Sequence, residues 1–395
     1  MQYSSDICVI GNGAVGKAAA LALAQAGISV TLLAPSVAPE AASASWDVRV
    51  YALNQIAHDL LDGLKVWQAM DASRVAAVDA MDVRGDGAQA GRLAFDAYSA
   101  RTGALAWIVE ERNLAAALDS ALKFAPNLRT VTAKATDMHC DAERATLTLD
   151  NGDAVDCKLI VGADGAQSWV RGRCDIDIDY RTYGQRAIVT NFECEKPHRG
   201  VAYQWFTAQE GIVALLPLPG ERASLVWSAP EALATTLLAE SASQLAERVT
   251  ALSQHVLGHL RPVQPELVRG FPLSLLRPHS IVAPRVARVG DAAHVVHPLA
   301  GHGMNLGFGD VAGLVKTLVE REPQRDCGDE RVLARYARAR KEDILLMQVA
   351  TDGLQRLFCN DFEPLRVVRN LGLNLVNNLP VIKRQLIAHA LGKRP

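Results

Sequence analysis

The chain has 395 residues, a formal net charge of −2 and a hydrophobic content of 49%. This near-neutral charge argues against nucleic acid as the main partner, and no apolar run approaches the ~18 residues needed to span a bilayer. The seven cysteines form no C-x-x-C pair, which is typical of reduced thiols in a cytoplasmic protein. The first predicted strand begins too early to leave room for a signal peptide. We therefore expect a cytoplasmic protein of one large domain or two interleaved domains.

The first predicted elements form a βαβ unit around a glycine turn. Residues 7–10 are apolar and predict a buried strand, and residues 17–25 are rich in alanine and leucine and predict a helix. A second apolar run over residues 28–33 predicts the next strand. Between the first strand and the helix, residues 11–16 read G-N-G-A-V-G and match the G-x-G-x-x-G fingerprint. This order predicts a dinucleotide site; the alternative is a glycine turn without a ligand.

Each glycine of the fingerprint has a physical task. Gly11 allows the tight turn, Gly13 lets the backbone approach a pyrophosphate, and Gly16 lets the helix pack closely on the strand. The phosphates then meet the N–H groups at the start of the helix, next to Ala14. Gly11, Gly13, Ala14 and Gly16 therefore form the predicted phosphate-binding site.

The next part of the chain alternates between helical and strand spacing. Residues 85–90 form a second nominal glycine fingerprint, but no helix follows, so we interpret them as a hairpin turn. Asn151 and Gly152 predict another hairpin, with a type I′ turn. The predicted helices cover residues 54–70 and 113–124, and the predicted strands cover residues 49–52, 79–84, 92–98, 107–109, 144–149 and 154–161.

The middle third changes to strands that carry most of the late aromatic residues, which predicts a second, antiparallel sheet suited to covering a ligand. Its predicted strands cover residues 187–193, 201–207, 212–218 and 223–228; helices follow over 231–238 and 242–257, a strand over 285–289, and mainly helices from residue 309. The predicted fold class is α/β, with a discontinuous Rossmann-like dinucleotide-binding domain over residues 1–75, 100–180 and 280–340. A substrate-binding β-sheet domain over residues 76–99 and 181–279 is inserted into it, and residues 341–395 form a helical C-terminal region.

Two later stretches fit the same fold. One is a strand followed by D-G at Asp164, and the other is a strand followed by G-D at Asp291. A carboxylate at the end of a strand can accept hydrogen bonds from ribose or ribityl hydroxyls. Glycines such as Gly301 and Gly303 let backbone N–H groups face a flat ring or an anion. Taken singly, each stretch could equally be an ordinary strand-to-helix cap.

Together these motifs resemble the single-component FAD-dependent aromatic hydroxylases. They are the N-terminal G-x-G-x-x-G, the D-G-x-x-S-x-V-R that begins at Asp164, and the G-D that precedes H-P-x-x-G-x-G-x-N-L over residues 297–306, here called the flavin motif. D-x-R-x-x-A-L over residues 47–53 and I-V-E-E-R-N-L over residues 108–114 are similar to the branch that hydroxylates polyprenylated phenols in ubiquinone biosynthesis. The resemblance spans nearly the whole chain.

The resemblance implies FAD as the cofactor, NAD(P)H as the electron donor, and a contact for each motif. The glycine turn holds the pyrophosphate, two arginines contact the pyrophosphate or ribityl side, the D-G motif serves FAD and the nicotinamide donor, and the G-D motif holds the ribityl chain. The implied cofactor-binding residues are Gly11, Gly13, Ala14, Gly16, Arg49, Arg112, Asp164, Gly165, Gly290, Asp291, Gly303, Met304 and Asn305. The implied ring-facing or catalytic residues are Pro298, Gly301 and His302.

The flavin motif carries two further expectations. Backbone N–H groups over residues 299–303 can stabilise negative charge on the reduced ring, whereas no side chain is an obvious catalytic base. His302 stands where we expect Gln in this branch, and a solvated histidine is the plainer interpretation. A metal site at His294, His297 and His302 is not predicted, because no paired carboxylate or thiolate cluster accompanies them.

The implied reaction consumes NAD(P)H and O2 and places one oxygen atom on an electron-rich phenol ring. The apolar and aromatic middle sheet suits a lipophilic phenolic substrate, although a plain core would have the same composition. Two alternatives stay open: hydroxylation of a soluble phenol, and a catalytically impaired scaffold in a biosynthetic assembly.

The C-terminal sequence has a composition of its own. From Gly353 onward it carries seven basic and two acidic residues, with leucine and valine recurring between them. Such a segment can lie on an anionic membrane or meet a lipid-bearing partner in a biosynthetic complex, which would place the protein at the periphery of the inner membrane. A helix packed on the core with a solvated face is the alternative. The sequence leaves homo-oligomerisation open.

One position departs from the usual dinucleotide-binding pattern. An acidic residue normally ends the second strand, where its carboxylate accepts hydrogen bonds from the adenosine ribose. Here Ala34 takes that place, and the next acid, Glu40, lies along a Pro-containing loop. We therefore expect FAD to bind more weakly than in a typical relative.

Overall fold

The structure, a computed structural model, describes residues 1–35, 45–86, 90–297 and 301–358. Within these residues the fold is mixed α/β. The helices are α1 (Ala14–Gln25), α2 (Gln55–Gly63), α3 (Glu111–Lys123), α4 (Trp169–Arg173), α5 (Glu231–Ala239), α6 (Ala242–Leu252), α7 (His302–Val319) and α8 (Glu330–Phe358). The strands are β1 (Gln2–Ser4), β2 (Ile7–Ile10), β3 (Val30–Ala34), β4 (Val50–Leu53), β5 (Val75–Val78), β6 (Ala80–Arg84), β7 (Arg92–Asp96), β8 (Ala106–Glu110), β9 (Leu128–Thr132), β10 (Ala135–Cys140), β11 (Ala145–Leu149), β12 (Ala154–Cys157), β13 (Leu159–Gly162), β14 (Ile178–Cys194), β15 (Val201–Thr207), β16 (Gly211–Leu218), β17 (Arg222–Pro230), β18 (Leu260–Pro262), β19 (Arg269–Pro278), β20 (Val282–Ala283) and β21 (Val286–Arg288).

A six-stranded sheet has the order β20-β21-β13-β2-β3-β9, and its five strands from β21 to β9 run parallel. Strands β2, β3 and β13 are buried along their whole length, which explains their continuous apolar sequences. One face packs against α1, α7 and α8 in a shared core. Because parallel strands end at the same edge, the turns after β2, β13 and β21 leave the sheet side by side.

A larger sheet has the order β18-β14-β17-β16-β15-β6-β7, with β19 also paired to β14. Its pairs are antiparallel except β15 with β6, where the register joins Val201 to Ala80. The four strands predicted for the middle third are confirmed as β14 to β17, although β14 begins earlier, at Ile178. One face is covered by α5 and α6, whose core includes the fully buried Trp227 and Phe192.

Two smaller sheets complete the fold: β4-β8-β5, and β1-β12-β11-β10. The predicted hairpin at residues 85–90 agrees with the antiparallel pairing of β6 and β7, in which Arg84 faces Arg92. The six cysteines that fall within the described residues form no disulfide. No helix in the described part of the chain is long and apolar enough to cross a membrane.

Three predicted elements were wrong in detail. The helix predicted over residues 54–70 ends at Gly63, because Lys65 adopts a left-handed φ of 63° that stops the helix. The strand predicted over residues 154–161 is two strands, β12 and β13, in different sheets. The hairpin at Asn151 and Gly152 forms, but only Gly152 has a positive φ, at 81°, so the turn is not type I′.

Other elements were not predicted or have different ends. Strands β9, β10 and β19 fall where no strand was predicted. The helix predicted over residues 242–257 ends at Leu252. Helix α7 begins at His302 rather than at residue 309, so Gly303 and Asn305 lie in its first turn instead of in a loop.

Candidate functional site

The glycine turn between β2 and α1 is shaped by backbone contacts that exclude side chains. Gly11 has a φ of 118°, and a Cβ there would lie 2.3 Å from the carbonyl oxygen of Ala163. A Cβ on Gly16 would lie 2.1 Å from the carbonyl oxygen of Gly11. Among the described residues, by contrast, no neighbouring atom lies within 4 Å of the Cβ position of Gly13, and no side chain caps the N-terminus of α1. The turn therefore leaves space and free N–H groups for a phosphate.

This turn forms one wall of a cleft of about 490 Å³ at the carboxyl ends of the parallel strands. The D-G motif forms another wall. The Oδ2 atom of Asp164 accepts from the backbone N–H of Val170 at 3.0 Å, while its buried Oδ1 atom has no hydrogen-bond partner in the described residues. Gly165 follows with a φ of 80°. A buried acceptor on a cleft wall calls for a donor from a ligand, and a nucleotide hydroxyl supplies one.

The turn after β21 is anchored by the buried carboxylate of Asp310. The N–H of Gly290, whose φ is 60°, donates to Oδ2 of Asp310 at 3.0 Å. Asp310 also accepts from Nε2 of His294 at 2.6 Å and from Nε of Arg340 at 2.8 Å. Burial raises the pKa of Asp310, but His294 and Arg340 outweigh it and hold that pKa below its ordinary value. The network fixes the turn that carries Asp291.

Asp291 itself is exposed by solvent-accessible area, although protein atoms crowd its surroundings. Desolvation by the neighbouring atoms raises the pKa of Asp291, and the electrostatic influence of His294 and Arg49 acts against that rise. Arg49 is therefore near enough to Asp291 to affect its pKa, as expected if both face one ligand.

Asp47 accepts hydrogen bonds from the backbone of Arg49 and Arg112, the two arginines predicted to contact FAD. Its Oδ1 atom accepts from the N–H of Arg49 at 3.0 Å, and its Oδ2 atom accepts from the N–H of Arg112 at 3.2 Å. The Arg49 guanidinium also pairs with Glu111 at 3.0 Å. The Asp47 carbonyl accepts from Nδ2 of Asn191 on β14 at 2.8 Å, so one aspartate links these arginines to the large sheet.

The start of α7 is fixed by Asn305 rather than left open. Its Nδ2 atom donates to the carbonyls of Ala52 at 2.8 Å and Gly301 at 3.1 Å, and its Oδ1 atom accepts from the N–H of Asn54 at 2.9 Å. Gly301 has a φ of 69° and caps the helix without a side-chain hydrogen bond. The amide of Asn305 is therefore engaged with the backbone, so a direct contact between this side chain and a cofactor stays a prediction.

The remaining predicted residues divide into two groups. Met304 packs against the core between α1, α2 and α7, and Gly303 has no atom within 4 Å of its Cβ position. Pro298 lies outside the described residues, and so does the side chain of His302. Within the described residues, no group of three or more His, Cys, Asp or Glu side chains is arranged to hold a metal ion.

The structure adds residues that the motifs did not single out. Asp310 and Arg340 anchor the turn before Asp291, and Glu110 accepts from the N–H of Asp47 at 2.5 Å while it pairs with Arg74. Charged residues are rarely fully buried unless they are paired. An aspartate within the apolar middle of α7 is therefore a signal that sequence reasoning could have used.

The fold and the cleft define a dinucleotide-binding α/β protein whose turns suit a flavin nucleotide. Residues 4–347 match the profile of the family described as FAD binding domain. The chain belongs to this FAD-binding family, and its cofactor is FAD.

Two relatives and one solved structure illustrate the similarity. The chain is 37% identical over 391 residues to ubiquinone hydroxylase UbiL of Rhodospirillum rubrum, covering 98% of this chain and 90% of that protein. It is 34% identical to the 3-demethoxyubiquinol 3-hydroxylase of Escherichia coli, covering 98% of each. The crystal structure of PqsL, a probable FAD-dependent monooxygenase from Pseudomonas aeruginosa, shares the fold with a TM-score of 0.77 at 21% identity, covering 93% of this chain and 100% of that one.

Proposed function

We propose that this protein is an FAD-dependent monooxygenase that uses NAD(P)H and O2 to hydroxylate a polyprenylated phenol in ubiquinone biosynthesis. The observation that carries the proposal is the convergence of three turns, after β2, β13 and β21, at one edge of the parallel sheet. Arg49, which directly precedes β4, is near enough to Asp291 to lower its pKa. The ubiquinone hydroxylases among the relatives support the reaction and the pathway.

Each wall of the site has a proposed task toward FAD. The first turn of α1, with Gly13 and Ala14, holds the pyrophosphate through backbone N–H groups. Asp164 and Asp291 accept hydrogen bonds from cofactor hydroxyls, and the two arginines ordered by Asp47 meet its anionic side. When bound, FAD supplies the redox chemistry and the activation of O2.

The ring of the flavin is proposed to lie at the start of α7. Within the described residues, no side chain caps the N–H groups of the first turn, over residues 302–304, which lie at the positive end of an 18-residue helix. They can stabilise negative charge on a reduced ring. Pro298, Gly301 and His302 stay the proposed ring-facing residues.

The large sheet is proposed to hold the substrate on the face that carries Asn191. The cross-strand register places Val226, Leu216 and Ala214 on that face, and all three are half-buried. The opposite face is closed by α5 and α6. The half-buried face turns toward Asp47, so a lipophilic phenol bound there would lie on the cofactor side of the sheet.

This arrangement supports the proposed division of the chain. Residues 1–75, 100–180 and 280–340 would form the discontinuous FAD-binding domain, and residues 76–99 and 181–279 the inserted substrate domain. The parallel pairing of β6 with β15 agrees with joining residues 80–84 to the substrate sheet. The helical region after residue 340 includes exposed Leu345, Leu346 and Val349 on α8, which support a peripheral membrane contact.

The test of the function is a reconstituted reaction. The purified protein, supplied with FAD, is mixed with NAD(P)H and O2 and with either a prenylated phenol or the same phenol without its tail. We expect NAD(P)H oxidation and a product heavier by one oxygen atom, formed faster from the prenylated substrate. Equal rates would favour a soluble phenol as the substrate, and absence of both FAD binding and NAD(P)H oxidation would favour a scaffold.

A further inference from the structure

His297, the first residue of the flavin motif, is fully buried. Burial lowers its pKa to about 4, so the imidazole is neutral near pH 7. Its Nε2 atom lies 3.1 Å from Oε1 of Gln185 on β14, and because an amide oxygen only accepts, the Nε2–H donates to it. The ring of Tyr183, also on β14, meets the imidazole edge-on at 4.8 Å between centroids. Two residues of one strand therefore fix both the plane and the tautomer of His297.

The same strand is tied to the C-terminal helix. The guanidinium of Arg181 lies 5.1 Å from the centroid of the Tyr183 ring and forms an ion pair with Asp352 of α8. A second tie lies beside it, where Nε of Arg277 on β19 donates to Oε1 of Gln348 at 2.8 Å. An unbroken series of contacts thus runs from α8 through β14 to the start of the flavin motif.

We propose that Asp352, Arg181 and Tyr183 are positioning residues that set the imidazole of His297, and with it the start of the flavin motif, from the C-terminal helix. The proposal rests on the assignment of the flavin motif to the cofactor ring in the preceding section. None of the three residues belongs to a motif that assigns FAD contacts.

The physical reason lies in the partly buried ion pair. The side chains of Arg181 and Asp352 are 39% and 19% exposed. Removing the carboxylate leaves the guanidinium without this counter-charge at a site only partly open to water, and hydration then draws it away from the Tyr183 ring. Tyr183 then loses the cation–π contact with Arg181 that supports its ring.

The test compares two ion pairs of α8. Asp352→Asn and Arg181→Gln break the pair that leads to His297, whereas Glu322→Gln and Arg335→Gln break a pair at 3.0 Å that, among the described residues, forms no hydrogen bond or ion pair with β14. The readouts are the visible absorption spectrum of bound flavin, the affinity of apo-protein for FAD from fluorescence titration, and the melting temperature. We expect the first two variants to shift the flavin band and weaken FAD by about threefold or more, and the Glu322 and Arg335 variants to match wild type in both.

Two further variants separate positioning from folding. The charge swap of Asp352→Arg with Arg181→Asp should restore part of the wild-type spectrum. Tyr183→Leu removes both ring contacts without leaving a charge unpaired, so it gives the same readouts if the charge variants fail to fold. Spectra and FAD affinities that equal those of the Glu322 and Arg335 variants would overturn the proposal.

Asp291→Ala distinguishes this result from failure of the site assignment. If Asp291→Ala binds FAD as tightly as wild type, the proposed flavin site is wrong, and the positioning role of the Asp352 pair falls with it. If Asp291→Ala weakens FAD while the Asp352, Arg181 and Tyr183 variants all behave like the controls, the site stands and only the positioning role is overturned.

Discussion

At the scale of single residues, Asp291 carries the most direct prediction. It is exposed and follows a turn anchored by Asp310. Asp291→Ala should weaken FAD binding by roughly 1–3 kcal/mol, because a carboxylate acceptor for the cofactor hydroxyls is lost, while the melting temperature of the apo-protein stays unchanged. Titration of apo-protein with FAD measures this. Glu247→Ala, at an exposed position on α6, is the control, and an FAD affinity equal to that control would remove Asp291 from the site.

Asp310 should matter for stability and its pH dependence. Asp310→Asn breaks a buried charge network and should cost about 3–5 kcal/mol of unfolding free energy at pH 7. Because the folded-state pKa of Asp310 is lowered, its contribution is present above the unfolded pKa of about 3.9 and is lost as the pH falls through the folded pKa. Denaturant titrations should therefore show a difference between wild type and variant that shrinks only below about pH 4. A difference that is constant from pH 7 to pH 3 would contradict this account.

Ala34 tests the weak-binding prediction. Strand β3 ends at Ala34, one residue later than predicted, and the neighbours Leu33 and Pro35 line the cleft. Hydrogen bonds to a charged group contribute roughly 1.5–3 kcal/mol each, so Ala34→Glu should tighten FAD by about tenfold or more. Ala34→Gln, a neutral side chain of the same length, controls for size. No gain from the glutamate would mean that another group already serves the ribose.

For single residues, the sequence predicted the backbone positions that require glycine better than it predicted the hydrogen-bond partners of side chains. Gly11 and Gly16 are required by contacts under 2.5 Å that any Cβ would make, and their spacing alone indicated this. Asn305 was expected at the cofactor, yet its amide nitrogen donates to the backbone carbonyls of Ala52 and Gly301. A hydrogen bond between residues far apart in the chain, such as that from Arg340 to Asp310, cannot be predicted because it produces no local sequence pattern.

At the scale of elements, apolar runs that are buried on both faces were the easiest to predict. Strands β2, β3 and β13 were found because burial in a parallel sheet makes their sequences continuously apolar. Strands β9 and β10 were missed because exposed polar residues interrupt them. The early end of α2 was missed because Lys65 adopts a left-handed conformation that is uncommon for a residue with a side chain.

The start of α7 gives the prediction at this scale. Asn305→Ala leaves two carbonyls and the N–H of Asn54 without their side-chain partner, which should cost roughly 1–3 kcal/mol of unfolding free energy and weaken FAD, because Gly301 loses its anchor. Asn113→Ala is the matched control, since its amide also joins two segments through the backbone of Asp71 but lies exposed. Unfolding and FAD titration of both variants would show whether the effect on FAD is specific to α7.

At the scale of the whole molecule, the strand order of the sheets could not be predicted, because strands that pair are far apart in sequence. The parallel sheet takes strands from both ends of the described chain, and the large sheet takes β6 and β7 from before α3 and the rest from after α4. No local pattern reports a pairing such as Val201 with Ala80, because the two strands are 121 positions apart. The motifs indicated the arrangement only because their turns must meet at one ligand. The proposed domain limits stay a prediction.

The last prediction concerns where the molecule meets its surroundings. Helix α8 exposes Leu345, Leu346 and Val349 and leads into a C-terminal sequence rich in basic residues. The residues after Phe358 lie outside the described part of the chain, so their contact with a membrane stays a prediction from sequence. The full-length protein should co-sediment with anionic vesicles and not with zwitterionic ones, and added salt should weaken this binding.

Charge neutralisation tests the same contact without truncating the chain. Replacing Arg366, Arg369, Lys383 and Arg384 by glutamine should reduce vesicle binding, because each basic residue near an anionic surface contributes about 1 kcal/mol. The matched control replaces four exposed basic residues of the large-sheet region: Lys196, Arg199, Arg261 and Arg269. If the two sets reduce binding equally, the attraction comes from overall charge and the C-terminal sequence has no special role. If neither set changes binding, the alternative of a C-terminal segment packed on the core is favoured.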